Sequence, residues 1–292
     1  MKTSRRNALQ KMVAASGAVA GLSLSGRIEA AEAALSVNLK GRVNHSVCRW
    51  CYNTIPLEEL CQAAKNIGLT SIELTGPDEW PVLKKYGLTA AMPWGAGMGI
   101  EKGFNNPAYH DSLVADFQAI IPKVANAGMN QIICFSGNRN GLPDEKGIEN
   151  CAIGLKRLMP IAEKHKVTVA MELLNSKVNH KDYQCDKTEW GVALCEKVGS
   201  ENFKLLYDIY HMQIMEGDVI ATIKKYHPYI SHYHTGGVPG RNEIDETQEL
   251  YYPAIMKAIL DTGFKGYVAQ EFIPKRPDKI ASLKQGVEIC DV

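Results

Sequence analysis

Four segments of the sequence end in side chains that bind metals or transfer protons. Each segment begins as a short apolar run, which is typical of a buried β-strand. The side chains at or near their ends are Glu172, Asp208, His234 and Glu271. Because the carboxyl ends of parallel strands meet at one edge of a sheet or barrel, we expect these four side chains to lie close together.

Three carboxylates and one imidazole form a ligand set that is mostly oxygen. Such a set suits Mn²⁺ or Mg²⁺, and Co²⁺ less well, better than a metal that prefers thiolates. Taken singly, each residue is an ordinary acid at a loop edge or a hydrogen-bonded histidine. Carboxylates in one dry pocket repel each other, however, and a divalent cation is the simplest relief. The four strand ends together therefore predict a metal site.

Short apolar runs alternate with longer amphipathic stretches along the chain, which indicates parallel strands joined by helices. Eight strands are predicted, at residues 43–48, 71–74, 88–93, 131–135, 168–174, 203–207, 230–235 and 266–272. Eight such units in about 250 residues predict a single-domain α/β fold, the (β/α)8 TIM barrel. A doubly wound open sheet is the alternative, but no glycine-rich fingerprint opens the first helix.

The first 33 residues have the features of an export signal. A twin-arginine pair, Arg5 and Arg6, precedes a mildly apolar run at 12–24, and small residues stand before Ala34. This pattern resembles a Tat signal peptide at 1–33, whereas the alternative is an N-terminal helix. We expect cleavage to leave a barrel domain at 34–292 in the periplasm or another extracytoplasmic compartment.

Composition excludes several functional classes. The chain has 292 residues, 45% hydrophobic and 22% charged, with a net charge of +1. Without residues 1–33 the net charge is −2, so no basic field favours nucleic acid. No later apolar run reaches the ~18 residues of a membrane span. The eight cysteines are scattered, and the Cys48–Cys51 pair has no second pair at zinc spacing, which favours core or loop thiols.

Residues around the four strand ends resemble a known family. The segments at 172–175, 207–213, 238–243 and 270–272 are similar to hydroxypyruvate isomerases and, more broadly, to the xylose-isomerase-like superfamily of sugar isomerases and epimerases. The resemblance spans residues 43–274 and is strongest over 168–274.

The resemblance implies one divalent metal, Mn²⁺ or Mg²⁺, held by Glu172, Asp208, His234 and Glu271. It implies that Glu172 and Glu271 transfer the proton through an enediolate, in an isomerase that converts hydroxypyruvate to tartronate semialdehyde or acts on a similar hydroxy-carbonyl compound. His211 would contact substrate oxygen, its alternative being a hydrogen bond to a carboxylate. Relatives that form dimers or tetramers allow a homo-oligomer.

Two features depart from the family. Hydroxypyruvate isomerases commonly have Gln where this chain has His234, whereas ketose 3-epimerases have His, and the export signal does not suit a cytoplasmic metabolite. A ketose 3-epimerase or a keto-sugar dehydratase or lyase is therefore the alternative. A related nuclease would need more histidine ligands and a basic groove. A binding module has no use for two acid/base carboxylates.

Other residues near the strand ends are expected to shape the pocket. Arg241 is predicted to bind a substrate carboxylate or hydroxyl, its alternative being an ion pair with Glu243. Trp50 and Trp94 are predicted to wall the pocket, the alternative being packing in the core, and Glu73 is expected at the rim of the pocket.

Overall fold

The computed structural model describes residues 37–292, so the predicted signal peptide and its cleavage site lie outside the described residues. Seven strands form one sheet, in which every pair is parallel. They are β1 (Asn44–Cys48), β2 (Ser71–Glu73), β3 (Gln131–Cys134), β4 (Thr168–Leu173), β5 (Phe203–Asp208), β6 (Ile230–Thr235) and β7 (Tyr267–Gln270). Their order is β2-β1-β7-β6-β5-β4-β3, so the first and last strands are neighbours and the sheet is curled.

Helices connect the strands, as parallel pairing requires. They are α1 (Leu57–Ile67), α2 (Trp80–Lys85), α3 (His110–Asn126), α4 (Asp144–Lys156), α5 (Met159–His165), α6 (Thr188–Val198), α7 (Ile209–Met215), α8 (Val219–Tyr226), α9 (Tyr252–Asp261) and α10 (Lys279–Cys290). Short 3₁₀ turns lie at Arg49–Tyr52, Pro107–Tyr109 and His227–Tyr229. This alternation confirms the predicted α/β barrel architecture. None of the helices in the described range has both the length and the apolar composition to cross a bilayer.

The predicted third strand at 88–93 is not a strand in the structure. The segment lies between β2 and β3 and makes backbone hydrogen bonds on both sides. The N–H of Ala91 donates to the Ser71 hydroxyl at 2.8 Å rather than to a carbonyl. Pro93 has no N–H to donate, although its carbonyl accepts from Ile133 at 3.4 Å. The prediction of eight ladder strands is therefore wrong, yet this segment fills the gap between the two edge strands.

The helical stretch between β3 and β4 consists of two helices, α4 and α5, with a break at Arg157 and Leu158. Pro160 explains the break, because its ring clashes with the carbonyl four residues earlier and it lacks an N–H. A further helix, α7, begins directly after β5 and was not predicted. Asp208 caps this helix by accepting a hydrogen bond from the His211 N–H at 3.2 Å.

The central strands of the sheet are buried on both faces. In β4 and β5 nearly every residue is buried, which matches the continuous apolar runs of parallel strands. All eight cysteines are buried and free, so none forms a disulfide. Burial raises the thiol pKa of each of them. The expectation of core or loop thiols therefore holds, and the C-x-x-C pair follows it.

Candidate active site

The four predicted side chains meet at the carboxyl ends of four neighbouring strands. Glu172 lies in β4, Asp208 ends β5, His234 lies in β6, and Glu271 follows β7. Asp208 and His234 are also paired in register across β5 and β6. One potential ligand atom from each of the four lies within 4.8 Å of the others, and all four side chains are buried. Strand order alone brings these residues together from a span of 100 positions.

His234 is held between carboxylates on both sides of its ring. Its Nδ1 lies 2.7 Å from Glu271 Oε2 and 3.3 Å from Glu172 Oε1. Its Nε2 lies 2.8 Å from Glu73 Oε1. Histidines that bind metals through one nitrogen usually donate the other N–H to a carboxylate or carbonyl, which fixes the ring and its tautomer. The ring of His234 is oriented in this way, with Nδ1 directed at the other three residues.

Arg241 lies across two of the carboxylates. Its Nη2 donates to Glu271 Oε2 at 2.6 Å and to Asp208 Oδ2 at 3.1 Å. The guanidinium also packs over the rings of Trp50 and Tyr210, at 5.1 and 5.4 Å from their centroids. A non-glycine residue at φ +58° is strained, so the surrounding contacts must hold Arg241 in place.

The alternative pairing of Arg241 with Glu243 is wrong. Glu243 Oε1 instead accepts hydrogen bonds from the backbone N–H groups of Lys275 and Arg276 and from the Ser282 hydroxyl. Glu243 thus stabilises the loop after β7, whereas Arg241 binds the carboxylates of the cluster.

Burial and neighbouring charges shift the pKa values of the carboxyl groups in opposite directions. Burial raises the pKa of Glu172 and raises that of Asp208 well above its usual value. Burial also opposes ionisation of Glu271, but Arg241 and His234 outweigh it and hold the pKa of that carboxyl well below its usual range. The cluster therefore has three carboxyl groups for one guanidinium and one imidazole.

This donor set fits a divalent cation. Glu172 Oε1 is buried and, apart from the 3.3 Å approach of His234 Nδ1, no donor among residues 37–292 satisfies it. A buried acceptor without a partner is costly, and a cation at the centre of the cluster satisfies it. The oxygen-rich set of Glu172, Asp208, His234 and Glu271 suits a hard or borderline metal.

His211 lies beside the cluster with a fixed proton. Its Nδ1 is 2.6 Å from the Asn175 side-chain nitrogen, and the Asn175 oxygen accepts from the N–H groups of Val178 and Asn179. That network assigns an acceptor role to Nδ1, so the proton of the neutral ring is on Nε2. Burial, followed by the charge of Arg241, lowers the pKa of His211 well below its usual value. Nε2 has no hydrogen-bond partner and is 3.5 Å from Asp208 Oδ2.

A cavity of about 470 Å³ opens over the cluster. Glu172, Glu271 and Arg241 form its polar end, with His180 beside them. Trp50 also lines it, and its indole N–H donates to Glu271 Oε1 at 2.7 Å. The rest of the wall is apolar: Leu74, Trp94, Ile100, Ile133, Phe135 and Leu174. The two tryptophans predicted to wall the pocket do so.

Comparison with protein families identifies the family to which the chain belongs. The xylose isomerase-like TIM barrel family matches residues 61–290, which is most of the sequence. The chain belongs to this family. The match includes all four residues of the cluster.

Individual members of the xylose isomerase-like family match shorter stretches. A putative hydroxypyruvate isomerase of Homo sapiens is 34% identical over 113 residues, which cover 39% of this chain and 40% of that protein. A 2-oxo-tetronate isomerase of Cupriavidus necator is 36% identical over 109 residues, which cover 37% and 41%. The chain thus spans about 40% of the length of these curated relatives.

The fold is shared over a longer range. A crystal structure of AP endonuclease, family 2, from Brucella melitensis superposes with a TM-score of 0.76. The match covers 84% of this chain and 99% of that chain at 22% identity, which establishes the common fold and no more.

In this barrel the site also contains residues that sequence reasoning placed wrongly or missed. Glu73 is not at the rim but fully buried, and its Oε1 is 2.8 Å from the Nε2 atoms of both His232 and His234. Burial alone would raise the pKa of Glu73, but the two histidines lower it to about 2. His232 was missed, although its spacing of two residues from His234 puts both on one face of β6.

Proposed function

We propose that the protein is a metal-dependent isomerase of small hydroxy-carbonyl compounds. The observation that carries this proposal is the pair Glu172 and Glu271, which line one cavity and share a buried cluster with Asp208 and His234. Two carboxylates in contact with the same ligand suit removal of a proton from one carbon and its return to another. The names of the two isomerase relatives support the same reaction class.

Glu172, Asp208, His234 and Glu271 would hold the metal, for which we propose Mn²⁺ or Mg²⁺. When bound, such an ion supplies positive charge near the oxygen that becomes negative as the proton leaves. The fit rests on the buried, partnerless Glu172 Oε1 and on the excess of carboxyl groups over cations in the cluster.

The residues around the cluster orient the substrate and the proton acceptors. Trp50, His234 and Arg241 all contact the Glu271 carboxylate, which fixes its direction relative to the cavity. Glu172 lines the cavity, so its second carboxylate oxygen can accept or return a proton while Oε1 faces the metal. His211 offers a neutral Nε2–H, a donor suited to a carbonyl oxygen that gains negative charge.

Hydroxypyruvate is the first substrate to test, with tartronate semialdehyde as the product. The protein is loaded with Mn²⁺ and incubated in D₂O with hydroxypyruvate and a panel of ketoses, and deuterium incorporation is followed by NMR. Exchange at the carbon beside the carbonyl, lost on exhaustive chelation and restored by Mn²⁺, is the expected result. Absence of exchange in every compound, with metal bound, contradicts the proposal.

A ketose 3-epimerase is the second candidate, favoured by His234 at a position where hydroxypyruvate isomerases commonly have Gln. The same panel separates the two. An isomerase moves the carbonyl to the neighbouring carbon, whereas an epimerase returns a ketose with the opposite configuration at carbon 3. Chromatography of the products against both standards decides between them.

We also propose export of a mature chain, residues 34–292, by the Tat route. The twin arginines and the small residues before Ala34 support it. Expression in a bacterial host followed by N-terminal sequencing of the periplasmic fraction should find a chain that begins at Ala34. Replacing Arg5 and Arg6 with lysine should keep the protein in the cytoplasm.

A further inference from the structure

A second cavity, of about 670 Å³, lies beside the catalytic cavity. Trp94, Ile100 and His180 line both. Its other residues come from the loops that follow segment 88–93, β3 and β4. Those loops begin at the carboxyl ends of the strands, where the cluster also lies. The two cavities are therefore neighbouring compartments on one face of the barrel.

The second cavity is polar where the first is apolar. Asn138, Lys102 and Lys181 line it, together with Glu101 and Asn179. Across residues 37–292, neither of the two lysine ammonium groups has an ion-pair partner. The Asn138 side chain makes no hydrogen bond to another described residue. These three side chains are thus available to a ligand rich in hydroxyl groups.

The loops that line the second cavity pack tightly against each other. The Asn138 N–H donates to the Glu101 carbonyl at 3.0 Å, which joins the two loops. An added Cβ at Gly103 would overlap the backbone of Ser136, so these loops pack in direct backbone contact. Gly137 sits in the left-handed region at φ +91°, which suits glycine. The second cavity is therefore a preformed feature of the fold.

The size of the first cavity argues for a substrate larger than a three-carbon acid. Its volume of about 470 Å³ equals that of roughly fifteen water molecules. A three-carbon hydroxy acid or a six-carbon ketose alone fills less than half of it, which leaves room for a larger substrate. A six-carbon ketose places its polar edge on Glu172, Glu271 and Arg241 and its C–H faces on the aromatic wall. Such walls with a few directed polar groups are typical of small-molecule sites.

We infer that the natural substrate is an extended ketose, whose reacting unit occupies the catalytic cavity and whose second, glycosidically linked sugar unit occupies the neighbouring polar cavity. This assignment rests on the proton-transfer chemistry of the proposed function and gives it a larger substrate than hydroxypyruvate. Trp94, Ile100 and His180 separate the two units, and Asn138 and Lys181 hydrogen-bond the hydroxyl groups of the second one. The outer site selects the substrate, while the cluster carries out the proton transfer.

Binding by calorimetry tests the second site. The Mn²⁺-loaded protein is titrated with fructose and with three disaccharides that carry a sugar at different positions of fructose: turanose, lactulose and isomaltulose. At least one disaccharide is expected to bind about tenfold more tightly than fructose, which corresponds to 1.4 kcal/mol. Asn138→Ala and Lys181→Met should remove that gain and leave the Kd for fructose within twofold. Lys164→Met, on the exposed side of α5, is the matched control and should keep the gain.

Three results overturn the second site. Either no disaccharide binds more tightly than fructose, or the gain survives both substitutions, or fructose 6-phosphate, titrated in parallel, gains as much as the best disaccharide, which marks an anion site. Deuterium exchange in the same samples separates this failure from failure of the proposed function. Exchange into fructose without any disaccharide preference removes the second site and leaves the isomerase. A disaccharide preference that depends on Asn138 and Lys181, without exchange in any sugar, keeps the site and removes the isomerase.

Discussion

The two halves of the barrel contribute different things to the site. The half with β4 to β7, called the second half below, supplies all four residues of the candidate metal site, together with Arg241 and His211. The half with β1 to β3 supplies most of the cavity wall, including Trp50, Trp94 and Phe135. Its one buried carboxylate at the site, Glu73, contacts histidines rather than the cavity. Chemistry and shape thus come from separate parts of one sheet.

The strands of the two halves differ in the same sense. β4, β5 and β6 have six residues each, whereas β7 has four, β1 has five, β2 has three and the 88–93 segment breaks its ladder. Reacting groups require positions fixed to a fraction of an ångström, and long paired strands provide them. A wall that selects substrates by size tolerates short strands and irregular backbone. Glu172, Asp208 and His234 thus lie on the longest strands, whereas Glu271 follows a strand of four residues.

Removing an acid/base carboxylate from the second half should have the largest effect. In Glu172→Gln and Glu271→Gln, turnover should fall by about 10²–10⁴, because an amide neither accepts nor returns the proton. Steady-state rates and deuterium exchange measure the loss. Glu189→Gln, exposed on α6, is the control and should keep full activity. Turnover within a few-fold of wild type in both site variants would remove the two-base scheme.

Metal removal should destabilise the second half selectively. At a free Mn²⁺ concentration of 100 times Kd, binding adds about 2.7 kcal/mol to the free energy of unfolding. For a barrel of this size the melting temperature should rise by about 5–10 °C. Differential scanning fluorimetry with Mn²⁺ and with EDTA measures the shift. Asp208→Asn should abolish most of it, while Asp111→Asn, on the surface of α3, should retain it.

Hydrogen exchange locates the same effect. Mn²⁺ should slow exchange in the loops after β4 and β5, with little change around β2 and the 88–93 segment. Equal protection in both halves would mean that the metal does not belong to the second half alone.

Glu73 lies on β2 in the first half but contacts His232 and His234 of the second half. Its substitution therefore tests whether the two halves act together. In Glu73→Gln the acceptor for the His234 Nε2–H is weaker, and Mn²⁺ affinity should fall by about 10–100-fold. Calorimetry measures Kd, and nitrogen chemical shifts of the His234 ring report its tautomer. Glu58→Gln, exposed on α1, is the control. An unchanged Kd and tautomer would make Glu73 a purely structural residue.

Substitution in the apolar wall should have the smallest effect. Phe135→Leu leaves the cluster intact but reduces contact with the bound substrate. We expect KM to rise by up to roughly tenfold, with kcat within twofold, as for the loss of uniform binding. Ile161→Val, on α5, serves as a conservative control. A large fall in kcat with KM unchanged would place catalytic positioning in the first half and break the division.

Much of the second half could be predicted because its signals are local. Long apolar runs that end in Glu172, Asp208 and Glu271 indicate both the strand and the place of the side chain. The parallel order of the strands then brings distant ends together. His234 followed from the same rule.

The first half was harder to predict because its structure depends on distant partners. Segment 88–93 has the composition of a strand, but the Ser71 hydroxyl satisfies Ala91 and Pro93 interrupts the ladder. Glu73 ends a strand as the other carboxylates do, yet its partners stand 159 and 161 positions away. Only the three-dimensional neighbourhood distinguishes a buried orienting carboxylate from one at a rim.

The buried thiols of the folded barrel are protected from oxidants and from alkylating reagents. Disulfide exchange and alkylation need a thiolate, and each cysteine is kept protonated and shielded from solvent. The rate at which a reagent alkylates each thiol therefore measures how often the barrel opens locally around it. Cys48 and Cys51 report opening beside the cavity over the cluster, whereas Cys134, Cys151 and Cys195 report separation of α4 and α6 from β3.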